Sequence, residues 1–136
     1  MNSHPYIKTY MAGVVLPSLF LLVVLLGFIV ARFIFEAPIP IERMIIFPMA
    51  VVPNLWGLWN VLYIAVVGKR RLPLGAWGAL LPALLIPGGL ALQEFVGASL
   101  FTPIEGLVVF PVIAAVYYLI WKHAIGFFNS LVGVGI

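Results

Sequence analysis

Hydrogen-bonding side chains lie within one apolar stretch of this sequence that is long enough to cross a lipid bilayer. Asn54 is near the middle of that stretch, where an amide buried without a partner would cost on the order of 1–3 kcal/mol. At helical spacing, a separate face carries aromatic and polar groups at positions i, i+3, i+4 and i+7. These positions are Trp56, Trp59, Asn60 and Tyr63. Groups of this kind can bond a ligand, an unpaired backbone carbonyl or a neighbouring helix.

Two interpretations of these five residues, the polar stripe, stay open. In the first, Asn54 caps a backbone carbonyl or links two helices, and the aromatic rings fill a helix bundle. In the second, the polar stripe lines a ligand cavity or a narrow path together with two tyrosines of the last apolar stretch. The predicted lining residues are then Asn54, Trp56, Trp59, Asn60, Tyr63, Tyr117 and Tyr118.

Patterns typical of catalysis or metal binding do not occur in the sequence. It contains no Ser/His/Asp constellation, no paired carboxylates at one depth and no His-x-x-His spacing. Cysteine is also missing, which removes disulfides, thiolate metal sites and cysteine nucleophiles. We therefore expect a non-catalytic protein without a metal site, and the sequence indicates no particular cofactor.

Two glutamates each follow a proline at the start of an apolar stretch. Thr102-Pro103-Ile104-Glu105 is typical of a helix start, with Thr as the capping residue, Pro in the first turn and Glu at its third position. Glu42 has the same place behind Pro40. A carboxylate there opposes the helix dipole, which is worth about 0.3–1 kcal/mol at a surface. We expect Glu42 and Glu105 to serve the helix starts; in the alternative, they gather cations at the outer mouth of a pore.

The composition indicates an all-α integral membrane protein. Of its 136 residues, 65% are hydrophobic and 8% charged, whereas a soluble domain has about 25% charged residues. Four apolar stretches approach the roughly 20 residues that a transmembrane helix needs. They predict spans near residues 10–35, 44–67, 73–92 and 105–121 in a single domain covering 1–136. The apolar tail 122–136 is too short for a fifth span, so we expect it at the membrane interface or packed on the bundle.

The charged residues separate into two groups across this four-span arrangement. Lys8, Lys69, Arg70, Arg71 and Lys122 fall on one side, with His4 and His123. Glu36, Glu42, Glu94 and Glu105 fall on the other side, with Arg32 and Arg43. An excess of Lys and Arg marks the cytoplasmic side, so both termini are predicted to be inside, in a bacterial inner or plasma membrane. The net charge of +3 is not a nucleic-acid signal. Tyr10, Tyr63, Trp77 and Trp121 would form an inner aromatic belt.

The two halves of the chain resemble one another. Pro40-Ile41-Glu42, then four residues, then Phe47-Pro48 recurs as Pro103-Ile104-Glu105, four residues and Phe110-Pro111. The Gly-x-x-Leu-Pro segment 13–17 likewise recurs at 78–82. These matches predict a helical hairpin repeated in parallel, two spans plus two, as in parallel-repeat transporters. Convergence between apolar sequences is the alternative.

Small residues in the third predicted span allow another helix to approach closely. They recur every four residues: Gly75, Ala79, Ala83, Pro87 and Ala91. We therefore expect a non-catalytic membrane protein that acts through oligomerisation, lipid contact or association with a larger membrane complex. Its expected partners are membrane lipids and a second copy or another membrane protein, not nucleic acid. One alternative is a small homo-oligomeric channel or transporter that uses the polar stripe. Another is an accessory subunit that holds an aromatic ligand against Trp56 and Trp59.

Overall fold

The computed structural model describes residues 3–38, 41–44, 49–67, 71–95 and 101–134, which form helices and contain no β-strand. In chain order the helices are α1 (Pro5–Phe33), α2 (Ile41–Met44), α3 (Val52–Leu62), α4 (Leu74–Ala79), α5 (Pro82–Phe95), α6 (Pro103–Ile120) and α7 (Gly126–Leu131). Two π-helical segments, Tyr63–Val67 and Trp121–Ile125, continue α3 and α6. For this part of the chain, the prediction of an all-helical protein is confirmed.

Three helical stretches are long and apolar enough to cross a membrane. They are Pro5–Phe33, Leu74–Phe95 and Pro103–Leu131. The helix Val52–Val67 is also apolar but shorter, about 24 Å at 1.5 Å per residue. Residues 45–48, which belong to the second predicted span at 44–67, lie outside the described residues.

The last helical stretch continues well past the predicted end of the fourth span. The π-helical segment Trp121–Ile125 carries the helix through Lys122 and His123, and α7 then extends it to Leu131. Ile125 and Asn129 of this extension are buried, and α7 contacts α1. Of the two placements expected for the tail, the structure therefore shows packing on the bundle.

Among the prolines in the described residues, Pro82 lies where the helix changes its hydrogen bonding. Pro82 has no N–H, so the chain between α4 and α5 tightens to i→i−3 bonds, such as Leu81 N to Gly78 O at 3.1 Å. Pro53 lies in the first turn of α3, where a missing N–H costs no intrahelical bond. Pro17 and Pro111, in contrast, lie inside the long helices α1 and α6.

Glycines form the closest contacts between helices. A Cβ on Gly13 of α1 would lie 2.9 Å from the Cα of Gly57 in α3, so the two backbones touch there. In the other half, Gly75 of α4 lies against Tyr118, and Gly106 of α6 lies against Ile86 of α5. The start of α4 therefore meets the end of α6, and these helices run antiparallel.

The buried core is aromatic and lies where α3, α4 and α6 meet. Its fully or nearly buried members are Trp56, Tyr63, Leu74, Leu81, Trp121 and Ile125. Trp121 and Tyr63 are fully buried, and Trp77 packs on this cluster. The expected inner aromatic belt is therefore wrong for Tyr63 and Trp121, because fully buried rings cannot meet lipid headgroups; for the half-buried Trp77 it stays a prediction. A large amphipathic ring suits a wet membrane interface and a helix contact equally.

Candidate functional site

The polar stripe faces other helices of the same chain. Trp56, Asn60 and Tyr63 are buried, and Trp59 is half-buried. Their spacing along α3 and the π-helical segment after it places them on one side of the helix. Together these four side chains contact α1, α4, α6 and α7, so the stripe acts as a junction between helices in this structure.

Asn54 is exposed and faces α1. Its Nδ2 donates to the carbonyl of Ala50 at 2.6 Å. Its Oδ1 accepts a hydrogen bond from the hydroxyl of Tyr10. The amide therefore both caps a carbonyl before α3 and links α3 to α1, which are the two parts of the first interpretation of this residue.

Asn60 belongs to a buried cluster that joins three helices. Its Nδ2 donates to the carbonyl of Thr9 in α1 and to Oδ1 of Asn129 in α7, both at 2.8 Å. In return, Nδ2 of Asn129 donates to Oδ1 of Asn60 at 3.1 Å. Both amide side chains are almost completely buried. Because their polar groups are paired, the low dielectric of the interior strengthens these bonds rather than penalising the amides.

Trp59 and Trp77 form a reciprocal pair between α3 and α4. Each indole Nε1 donates to the other residue's backbone carbonyl at 2.9 Å. The rings stack with their centroids 4.3 Å apart and an interplanar angle of 14°. One helical turn further, the hydroxyl of Tyr63 donates to the carbonyl of Leu72 at 2.8 Å, which ties the end of this helix to the chain before α4.

Trp56 connects the two halves through ring contacts. Its ring packs edge-on to Tyr117 at 5.1 Å and tilted to Trp121 at 5.6 Å, measured between centroids. Tyr118, by contrast, is not brought to the polar stripe. It is exposed, and its ring lies against Gly75 and 5.9 Å from the Nζ of Lys122. Adjacent residues of a helix point about 100° apart, and here Tyr117 faces Trp56 whereas Tyr118 faces Gly75.

Glu42 and Glu105 have separate roles in the structure. Glu105 and Thr102 form a capping box at the start of α6, with Glu105 Oε2 accepting from Thr102 N at 2.8 Å and Thr102 Oγ1 accepting from Glu105 N at 3.2 Å. This helix start is as predicted. Glu42 is in the first turn of α2 and bonds to Nη1 of Arg32 at 2.6 Å. That hydrogen bond lowers the pKa of the Glu42 carboxyl below its ordinary value of 4.5.

Sequence reasoning missed the partners of the polar stripe. Asn129 and Thr9 complete the amide cluster, and Trp77 and Trp121 complete the aromatic contacts. An asparagine at position 129, within an otherwise apolar tail, was the available signal for a buried polar contact, because an unpaired amide is costly there. Within the described part of the chain, no three His or Glu side chains lie together in a way that could hold a metal ion.

Comparisons with models of known protein families, with curated proteins and with solved structures give no match for this chain.

Proposed function

We propose that this protein is a non-catalytic, multi-pass membrane protein that acts through oligomerisation, lipid contact or association with a larger membrane complex. The observation that carries the proposal is the contrast between its interior and its surface. Asn54, Asn60 and Trp59 bond to other groups of the same chain, whereas α1 buries only four of its 29 residues. Such an extensive apolar surface requires lipid or another protein against it.

The topology that we propose has four spans with both termini on the cytoplasmic side of a bacterial inner or plasma membrane. The helix Val52–Val67 supplies most of the second span. Along the chain, α2 lies before residues 45–48, and this helix follows them. Lys8, Arg71 and Lys122 then share the cytoplasmic side, in agreement with the distribution of Lys and Arg in membrane proteins. Glu36, Glu42, Glu94 and Glu105 share the other side.

A parallel repeat of two helical hairpins belongs to the same proposal. Gly13 and Gly78 open the two similar Gly-x-x-Leu-Pro segments. A Cβ on Gly13 would meet α3, and a Cβ on Gly78 would meet Trp121 just after α6. In each half, the equivalent glycine therefore packs on the helical stretch that would form the second span of that half, which supports the repeat. Pro40, Phe47 and Pro48 of the first copy lie outside the described residues.

The surface of α5 supports association with a second copy or another membrane protein. The ridge of small residues is buried at Gly75, but Ala83, Pro87 and Ala91 are exposed. A Cβ on Gly88 beside them would meet no atom within 4 Å. A neighbouring helix can approach closely where side chains are this small.

The test is the state of the purified protein in a mild detergent, measured by light scattering, by cross-linking in membranes and by mass spectrometry of bound molecules. We expect an oligomer, a co-purified membrane protein or retained phospholipid. A strict monomer that holds no lipid and captures no partner would contradict the proposal. A bound chromophore would instead favour the accessory subunit with an aromatic ligand at Trp56 and Trp59.

A flux measurement in liposomes distinguishes a small channel or transporter from the proposed non-catalytic membrane protein. If wild-type protein carried ions or solutes and the double variant Asn54→Leu, Asn60→Leu kept full transport, the polar stripe would not belong to the path. The matched control is Ser130→Ala, because the hydroxyl of this exposed residue bonds within its own helix, to Phe127 O. No flux in wild-type vesicles would leave the non-catalytic membrane protein as the better description.

A further inference from the structure

Two cationic side chains lie at the same end of α4. Lys122 is exposed in the π-helical segment after α6, and its Cβ is 3.1 Å from the position that a Cβ would take on Gly75. Arg71 is exposed four residues before Gly75. The two residues, which we call the basic corner, therefore flank the first turn of α4 from different parts of the chain.

No carboxylate neutralises the basic corner within the described residues. All four acidic residues are glutamates. Glu36 and Glu42 follow the end of α1, whereas Glu94 and Glu105 lie at the end of α5 and the start of α6. Because α6 runs antiparallel to α4 and α5, Glu94 and Glu105 lie at the far end from Lys122. The one ion pair in the described part of the chain joins Arg32 to Glu42.

Apolar side chains surround the same end of the molecule. Phe127 and Leu131 of α7 are 57% and 64% exposed. Tyr6 and Ile7, also exposed, begin α1 beside Lys8, and α1 packs on α7. Cations among exposed aromatic and aliphatic groups match the boundary of a bilayer, where phosphate headgroups lie next to acyl chains.

We propose that the basic corner binds the headgroup of an anionic phospholipid, with the exposed Leu119 of α6, one turn before Lys122, against its acyl chains. The inference rests on the proposed membrane location and adds lipid selectivity to it. A Lys or Arg near an anionic membrane surface contributes about 1 kcal/mol, which is about a fivefold gain in binding. Charge complementarity supports a lipid over a protein partner, because the apolar groups beside the cations continue the lipid-exposed surface.

The experiment is native mass spectrometry of the detergent-solubilised protein with equal concentrations of phosphatidylglycerol and phosphatidylcholine that carry identical acyl chains. We expect wild-type protein to hold about fivefold or more phosphatidylglycerol than phosphatidylcholine. The double variant Arg71→Gln, Lys122→Gln should lose most of this preference. Arg32→Gln is the matched control, because that guanidinium is already paired with Glu42, so the preference should stay unchanged.

The outcomes separate this inference from the membrane proposal. Equal uptake of both lipids by wild-type protein, or an unchanged preference in the double variant, would overturn the basic corner as a lipid site and leave the membrane proposal intact. Failure to bind either phospholipid would overturn the lipid site, and would contradict the membrane proposal only if the protein were also a monomer without a partner. Displacement of the phosphatidylglycerol by inorganic phosphate at equal concentration would show that the site takes free phosphate and not lipid. Circular dichroism and thermal unfolding check that the variants fold.

Discussion

The side-chain amides of Asn60 and Asn129 bond to one another in both directions, at 2.8 and 3.1 Å, although 69 positions separate them in the chain. The second Asn60 donor contact, to the carbonyl of Thr9, adds α1 to the contact between α3 and α7. A buried reciprocal pair accepts one alignment of the two helices, because a shift along either would leave amide groups unpaired. The cluster therefore fixes the position of the C-terminal helix on the bundle.

Replacing either asparagine with leucine should destabilise the protein. Each single change, Asn60→Leu or Asn129→Leu, leaves the other amide buried with fewer partners, at an expected cost of about 1–2 kcal/mol. The double variant should be less destabilised than the sum of the two, by roughly 1 kcal/mol, because no orphaned amide remains. Unfolding in mixed detergent micelles measures these free energies. Additive effects would contradict a coupled pair, and Ser130→Ala, one residue along α7, should change nothing.

Glycine contacts should make two similar substitutions behave in opposite ways. A methyl group at Gly78 would overlap Cγ of the Trp121 ring, and overpacking of this kind costs typically about 1–3 kcal/mol. A methyl group at Gly88 meets nothing within 4 Å, so Gly88→Ala should be neutral or gain about 0.5–1 kcal/mol from helix propensity. Thermal unfolding of the detergent-solubilised variants compares them. Equal loss of stability in both would show that α4 does not pack on Trp121 as the structure has it.

Local signals account for the parts of the structure that could be predicted. Thr102 and Glu105 are three residues apart, so their capping box follows from neighbouring residues alone. The apolar stretches likewise follow from composition. The helical stretches Pro5–Phe33 and Leu74–Phe95 begin and end within about five residues of the first and third predicted spans. The end of the last helix could not be predicted, since the π-helical segment continues through Lys122 and His123, where hydropathy indicates a boundary.

Long-range partners could not be predicted from one sequence. The position of Asn60 in an apolar helix indicates that it needs a partner, but nothing local identifies Asn129 or Thr9. The same holds for Trp77. Its indole alone indicates a place at a membrane interface, and only the structure shows that it stacks on Trp59. Sequence reasoning therefore found the residues of the polar stripe but not their partners in the other helices.

The Trp59–Trp77 pair should show strong energetic coupling. Each ring supplies the other residue's backbone with a hydrogen bond as well as a stacked face. In a double-mutant cycle with Trp59→Phe and Trp77→Phe, we expect a coupling energy of about 1 kcal/mol, within the range for contacting residues. Unfolding free energies of the four proteins give the value. Phe128 is half-buried away from this pair, so Phe128→Leu should add to Trp59→Phe without coupling; zero coupling for the tryptophans would contradict the reciprocal contact.

Acid should weaken the contact between the end of α1 and α2. The pKa of Glu42 is lowered in the folded protein, chiefly by its hydrogen bond to Arg32. A lowered carboxyl pKa means that the stabilisation is fully present above the ordinary value of 4.5 and is lost as the pH falls through the folded-state pKa. Carbon NMR titration of the Glu42 carboxyl should therefore give a pKa below 4.5 in wild type, rising toward it in Arg32→Gln. Glu36→Gln is the control, since Glu36 lies outside the ion pair. An unchanged Glu42 titration in Arg32→Gln would show that the guanidinium is not the cause, and would leave the backbone hydrogen bond of Glu42 as the contact that lowers the pKa.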